Sequence, residues 1–322
     1  MKKIIALALA LVLALSLVAC GNNAQNTKPS GGGEAPAEPA YKFAVIVHDS
    51  GNSFISEFKR GAVAAGEALG VTIDVLGPDA QVIEKQVVIV ENAITAGYDG
   101  IACICGDATA FQAAKDTCDQ KGIPFVTFNM DDGGYGAGYA GAEEYTLAYA
   151  FADYFFGTVV TGSKDYIIAT ADSALPVCVT RANAIKDAAA AHGFNLVTTV
   201  DLGYDFSQGT GVVENTLTAY PDCKVYVGTD HFSQSIATAI EAQGLNDSTY
   251  VGCFDLLEQT IQYLQSGACD LIVGQNPYLQ SYYAVVMLYN LLEDGICPVN
   301  INTGAELVTT DMADAAMAKY FG

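Results

Sequence analysis

The chain is expected to be an α/β protein of two doubly wound parallel-sheet lobes in tandem. Three features predict it. Short apolar runs alternate with segments whose apolar residues recur at helical spacing. The alternation breaks at a glycine-rich stretch, Gly133 to Gly141, and then restarts with the same rhythm. Apolar residues make up 51% and charged residues 16% of the 322 positions, enough apolar material for two packed cores.

The first strand is expected at Lys42 to Val47. Ile55, Phe58, Ala62, Ala65 and Leu69 then form one helical stripe that stops at Gly70. Thr72 to Leu76 reads as a strand, and Ile83, Val87, Val90 and Ile94 as a helix closed by Gly97. A strand at Ile101 to Cys105, a helix at Ala110 to Gln120 and a strand at Phe125 to Asn129 complete the first half. The second half predicts helices at Thr146 to Phe156, Val177 to Ala191, Ser207 to Ala219, Phe232 to Gln243, Leu256 to Ser266 and Leu279 to Leu292. Its strands are Tyr166 to Thr170, Phe194 to Val200, Lys224 to Gly228, Tyr250 to Phe254 and Leu271 to Gly274. Ligands of open α/β sheets sit outside the carboxyl ends of the strands. Two such sheets facing each other make a cleft.

The amino terminus is of another kind. Lys2 and Lys3 precede an apolar run from Ile4 to Ala19, broken only by Ser16, and then comes Cys20. This is the layout of an export signal, and the run is shorter than the roughly 20 residues a spanning helix needs. Leu17-Val18-Ala19-Cys20 resembles the lipobox of bacterial lipoproteins, which implies a lipidated Cys20 at the start of the mature chain and a membrane-anchored, extracytoplasmic protein. A plain signal with an incidental cysteine is the alternative. Gly21 to Ala40, rich in Gly, Asn, Pro, Ser and Glu, reads as a tether spanning about 25 Å r.m.s..

Charge and cysteine usage exclude several functions. The formal net charge is −22, and it becomes more negative when Lys2 and Lys3 leave with the signal. Such a body repels nucleic acid, so no nucleic-acid partner is expected. Of nine cysteines, Cys20 belongs to the lipid. Cys103, Cys105 and Cys253 fall on strands and read as buried small hydrophobes, with disulfides left open. No CxxC pair is present and there are three histidines, so no metal is expected, and no cofactor. Gly136-Ala137-Gly138-Tyr139-Ala140-Gly141 fits the letters GxGxxG but does not follow the first strand, so it reads as a loop leading into a hinge. His48 and His231 lack a nucleophile motif nearby and read as cleft contacts or packing.

The body from Tyr41 to about Val308 resembles the type I periplasmic binding proteins, in particular their ribose-binding-protein-like branch. Val251-Gly252-Cys253-Phe254-Asp255-Leu256 and Gly274-Gln275-Asn276-Pro277-Tyr278-Leu279-Gln280 carry the resemblance. It implies a three-strand hinge with crossings near Ala142, Asn276 and Thr303. Residues 1–19 would be signal and 20–40 lipidated cysteine and tether. Residues 41–141 with 277–303 would form lobe I, and 142–276 with 304–322 lobe II.

Candidate ligand residues follow from the same comparison. Asn52 offers a donor and an acceptor at a strand end and Phe54 a face for a sugar ring; together they match an Asn-x-aromatic motif, or else cap and pack the first helix. Asn129 and Met130 stand where sugar binders of that branch carry Asp-Arg, which points to a larger or less hydroxylated ligand. Arg181, one of two arginines, resembles a bidentate ligand contact, the alternative being an ion pair. Tyr204 matches an aromatic that stacks from lobe II, or is core. Asp230 and Asp255 suit hydroxyl recognition or cap helices, and Gln275 lies at the second crossing. The resemblance implies a monomeric binding protein, not an enzyme, that delivers a small sugar-like ligand to an ABC transporter permease by hinge closure. A sensor subunit for a chemoreceptor or kinase, or a binder of a nucleoside or furanose signal, is the alternative.

Overall fold

A computed structural model describes residues 41–51, 53–131 and 136–321. The expectations for the export signal, Cys20, the tether, Asn52 and Gly133 lie outside the described residues. In chain order the first half contains β1 (Lys42–Ile46), α1 (Ser53–Leu69), β2 (Thr72–Leu76), α2 (Ile83–Ala96), β3 (Gly100–Cys105), α3 (Ala108–Lys121), β4 (Phe125–Asp131) and β5 (Tyr139–Gly141). The second contains α4 (Glu144–Tyr154), β6 (Asp165–Thr170), α5 (Pro176–Ala191), β7 (Asn195–Asp201), α6 (Phe206–Ala219), β8 (Val225–Gly228), α7 (Gln234–Ala242), β9 (Tyr250–Phe254), α8 (Glu258–Ser266) and β10 (Leu271–Gln275). α9 (Pro277–Glu293), β11 (Asn300–Asn302), β12 (Ala305–Thr309) and α10 (Ala313–Phe321) follow.

One sheet has the order β11-β5-β4-β3-β1-β2 and the other β12-β10-β9-β8-β6-β7. The two orders superpose element by element, so β4 and β9 hold equivalent places. The inner strands are buried on both faces. Phe43, Val45 and Val47 enter one core layer and Ala44 and Ile46 the other; in β6, Ile167 and Ala169 oppose Tyr166 and Ile168. Burial on two sides is why these strands read as unbroken apolar runs rather than as alternating ones.

The helices begin and end where side-chain chemistry demands. Asp107 accepts the Ala110 amide at the start of α3. Gly97 and Gly122 close α2 and α3 with φ of 78° and 69°, their amides turning back onto the last turn. α9 returns to the first lobe and packs on α1, where a Cβ on Gly61 would lie 2.0 Å from the Tyr278 carbonyl oxygen. Only glycine permits that approach.

The chain passes from the first sheet's layer to the second's between Gly141 and Glu144, back at Asn276, and across again between Asn302 and Ala305. Both sheets belong to one compact unit.

Several expectations are corrected. Tyr139–Gly141, read as loop, is β5, and β11, β12 and α10 were not anticipated. β5 and β11 are three residues each, too short for a period to show. β12 runs antiparallel to β10, so the second sheet is not purely parallel. The helix expected from Phe232 starts as a 3-10 turn, His231–Ser233, and α4 ends in a π turn, Phe155–Val159. None of the eight cysteines of the body is in a disulfide, and seven are buried. Among the described residues no helix is long and apolar enough to cross a membrane.

Candidate functional site

A cavity lies at the carboxyl ends of both sheets, lined by residues at or just beyond the ends of β1, β4, β6, β8 and β9. Its free volume is about 40 Å³. That holds on the order of three waters, so a sugar ring enters only if the lobes part or side chains move. Phe54, Asn129, Met130, Arg181, Tyr204, Asp230, Asp255 and Gln275 all line it. Thus the eight described candidates, dispersed over more than two hundred residues, meet at one place; Asn52 is not described.

The polar floor is an oriented chain of amides. Gln275 donates Nε2 to Asp255 Oδ1 at 3.0 Å. Its Oε1 accepts from Asn129 Nδ2 and from Gln280 Nε2, both at 3.2 Å, and Asn129 Nδ2 also donates to Gln280 Oε1 at 3.0 Å. A carboxylate only accepts, so Asp255 sets the direction of the whole chain. Both Asn129 amide hydrogens are used within it, which leaves Asn129 Oδ1 as an acceptor.

Asn129 and Asp255 also share a backbone feature. With φ of 62° and 68° they are the non-glycine residues of the described chain in the left-handed region, and they sit at equivalent strands of the two sheets. Asn and Asp tolerate that conformation best. Held strain of this kind clusters at ligand sites.

Burial pushes the Asp255 carboxyl up to about 6, opposed by Arg181 and the Gln275 bond. Arg181 is itself buried, at 4% exposure. Its Nε donates to Glu144 Oε2 at 2.6 Å and its Nη1 to the Thr229 carbonyl at 2.8 Å, and the guanidinium lies 4.8 Å from the Phe254 ring centre. Burial works against its charge, but Glu144 and Asp255 outweigh it and raise its pKa. The ion pair read as the alternative role of Arg181 therefore exists, inside the protein rather than on its surface.

Asp230 is engaged as a cap. Its Oδ2 accepts the Ala171 amide at 2.7 Å and the Thr229 hydroxyl at 2.9 Å, and its Oδ1 accepts the Phe232 amide at 2.8 Å. Cys178 donates weakly to the same Oδ2 at 3.6 Å. Tyr204 lies at the rim, 46% exposed, with its hydroxyl on Asp172 at 3.3 Å and its ring edge-on to Phe232.

Two residues read as cleft contacts or packing form part of the wall. His48, from the first lobe, and His231, from the second, both line the cavity; burial lowers both pKa values, that of His48 to about 4 with His231 adding to the effect, so both rings are neutral at pH 7. His48 Nδ1 is buried without a hydrogen-bond partner. His231 lies parallel to Phe54 at 6.1 Å between ring centres. Gln81, Cys178 and Phe232, which the sequence did not single out, also line the cavity. Glu144 gave no sequence signal: it is one acid among many until the fold sets it against Arg181. Among the described residues no three His, Cys, Asp or Glu side chains could hold a metal.

The sequence profile of the periplasmic binding protein domain matches residues 43–296. The chain belongs to that family. This binding protein is 27% identical over 297 residues to the xylose/arabinose-binding protein XylF of Sulfolobus acidocaldarius, across 86% of the chain and 73% of the relative. Among solved structures it resembles GanP, a glucose-galactose binding protein of Geobacillus stearothermophilus, with TM-score 0.79, 25% identity, and coverage of 84% of this chain and 98% of that one. It also resembles an ABC transporter solute-binding protein of Burkholderia graminis in complex with D-arabinose, with TM-score 0.80, 25% identity, and coverage of 85% and 97%.

Proposed function

We propose that this binding protein captures a sugar or sugar-like molecule outside the cytoplasm and presents it to an ABC importer. The observation that carries this reading is the convergence of eight candidate residues, from both lobes and the hinge, on one cavity. Asp255, Asn129 and Arg181 supply acceptors and donors for hydroxyls, and Phe54, Phe232 and Tyr204 supply ring faces. The relatives, named as binding proteins for xylose/arabinose and glucose-galactose, support the same ligand class. Binding proceeds by closure: one lobe takes the ligand, the other folds over it, and the permease recognises the closed form. This role requires no covalent chemistry. The lipobox-like Cys20 and the tether behind it support attachment to the membrane face beside the permease.

Thermal shift and calorimetry against pentoses and hexoses test the reading, since a bound ligand raises the melting temperature by mass action. Asp255→Ala and Arg181→Ala should weaken binding by roughly tenfold to a few hundredfold, the range of a hydrogen bond to a charged group. Wild-type affinity in both folded variants would place the site elsewhere.

A further inference from the structure

We propose that the ligand is a nucleoside, with its sugar ring in the inner cavity and its base in a second chamber on the hinge side. This rests on the reading that the inner cavity binds a sugar. The second chamber has a free volume of about 470 Å³ and shares Asn129, Met130, Leu175 and Val177 with the inner cavity, so the two are contiguous. Its size lies in the range of small-molecule sites, where the inner cavity alone does not.

The walls select the occupant. Met130 comes from the first lobe and Leu175, Pro176 and Val177 from the second, so the chamber is a slot with apolar side chains contributed from both sides. A second sugar ring carries hydroxyls around its rim and needs polar partners in several directions. A heteroaromatic base has two apolar faces and polar groups only at its edge, and a thioether packs well on such a face. Tyr139, Tyr145, Thr180 and Asn300 also line the slot, but each already donates within the protein, to the Asn129 carbonyl, Asp187, the Pro176 carbonyl and Glu143. Glu143 and Glu144 line the slot, among the described residues no lysine or arginine does, and Glu144 Oε1 is buried without a hydrogen-bond partner while Oε2 holds Arg181. A carboxylate accepts only, so the edge it satisfies must donate. Bases with an exocyclic amino group fit this demand, and a phosphate is repelled. Asn129 Oδ1, left as an acceptor by the amide chain at the junction, takes a ribose hydroxyl.

Calorimetry on the mature protein with D-ribose, adenosine, inosine, adenosine monophosphate and xylobiose tests the proposal. Adenosine should bind roughly tenfold or more tighter than ribose and than inosine, and the monophosphate more weakly than adenosine. Thr180 lines only the hinge-side chamber. Thr180→Phe should therefore bring adenosine down to the affinity of ribose and leave ribose unchanged, with the ligand-free melting temperature reporting that the variant folds. Glu144→Gln should narrow the preference for adenosine over inosine. Adenosine no tighter than ribose, or xylobiose tighter than adenosine, overturns the proposal while sugar binding stands. Failure of every sugar and nucleoside to bind overturns the sugar reading itself and this inference with it.

Discussion

Removing the charge of Asp255 should make the ligand-free protein more sensitive to acid, and removing the ring of His48 should make it less so. Asp255 has a folded-state pKa of about 6 against 3.8 when exposed. As pH falls through this window the folded chain takes up the proton before the unfolded chain does, so the residue's contribution to stability grows. His48 behaves in the opposite sense, with about 4 folded against 6.5 exposed. The unfolded chain takes that proton first, and stability is lost as pH falls from 6.5 towards 4. Each effect amounts to about 2 to 3 kcal/mol between pH 7 and pH 4. In the wild type they offset each other. His231, lowered chiefly by burial, acts in the sense of His48, while Arg181, Gln275, Asp230 and Glu144 surround Asp255 in every variant. Urea denaturation of the wild type, Asp255→Asn and His48→Gln at pH 7, 5.5 and 4 isolates the two terms, because all surface carboxylates cancel in the differences. Relative to wild type, Asp255→Asn should lose about 2 to 3 kcal/mol on going to pH 4 and His48→Gln should gain a similar amount. Gaps between variant and wild type that stay constant to within about 0.5 kcal/mol across this range would refute the account of burial given for both groups.

Three further outcomes are expected. Glu144→Ala leaves the Arg181 guanidinium buried with one carbonyl partner, and should cost about 3 to 5 kcal/mol by denaturant titration; a loss under about 1 kcal/mol would mean that the pair contributes little. Small-angle scattering should give a smaller radius of gyration with saturating ligand than without, and an unchanged profile with binding confirmed separately would argue against hinge closure. Cys20→Ala should abolish membrane partitioning of the expressed protein, whereas unchanged attachment would rule out the lipid anchor.

Much of the fold was legible because each element stands on its own local pattern. Thr72–Leu76, where Ile73 and Val75 alternate with Thr72 and Asp74, and Tyr250–Phe254, a short apolar run, match the expected strands residue for residue. Asp255 and Gln275 were legible for another reason: they end strands inside motifs that resemble a known family. Elements whose existence depends on a partner were not legible. β5 is a strand because it pairs with β4 on one side and β11 on the other, and β11 because Asn300 to Asn302 pair with Tyr139 to Gly141. Glu144 and His48 are ordinary residues in the chain, and their weight comes from what the fold packs against them.

Local alternation of apolar runs, helical stripes and glycine stops by itself determined that this protein is two α/β sheets in series, because strand and helix periods are set by neighbours in sequence. Tertiary structure alone decided the chemistry of the cleft. Burial, which no single segment controls, raises Asp255, neutralises the two histidines and commits Arg181 to Glu144. A carboxylate's charge and an amide's direction depend on groups more than a hundred residues away, as in the bond from Asn129 to Gln275. Such couplings exist only once both lobes and the hinge have enclosed the same few ångströms of space.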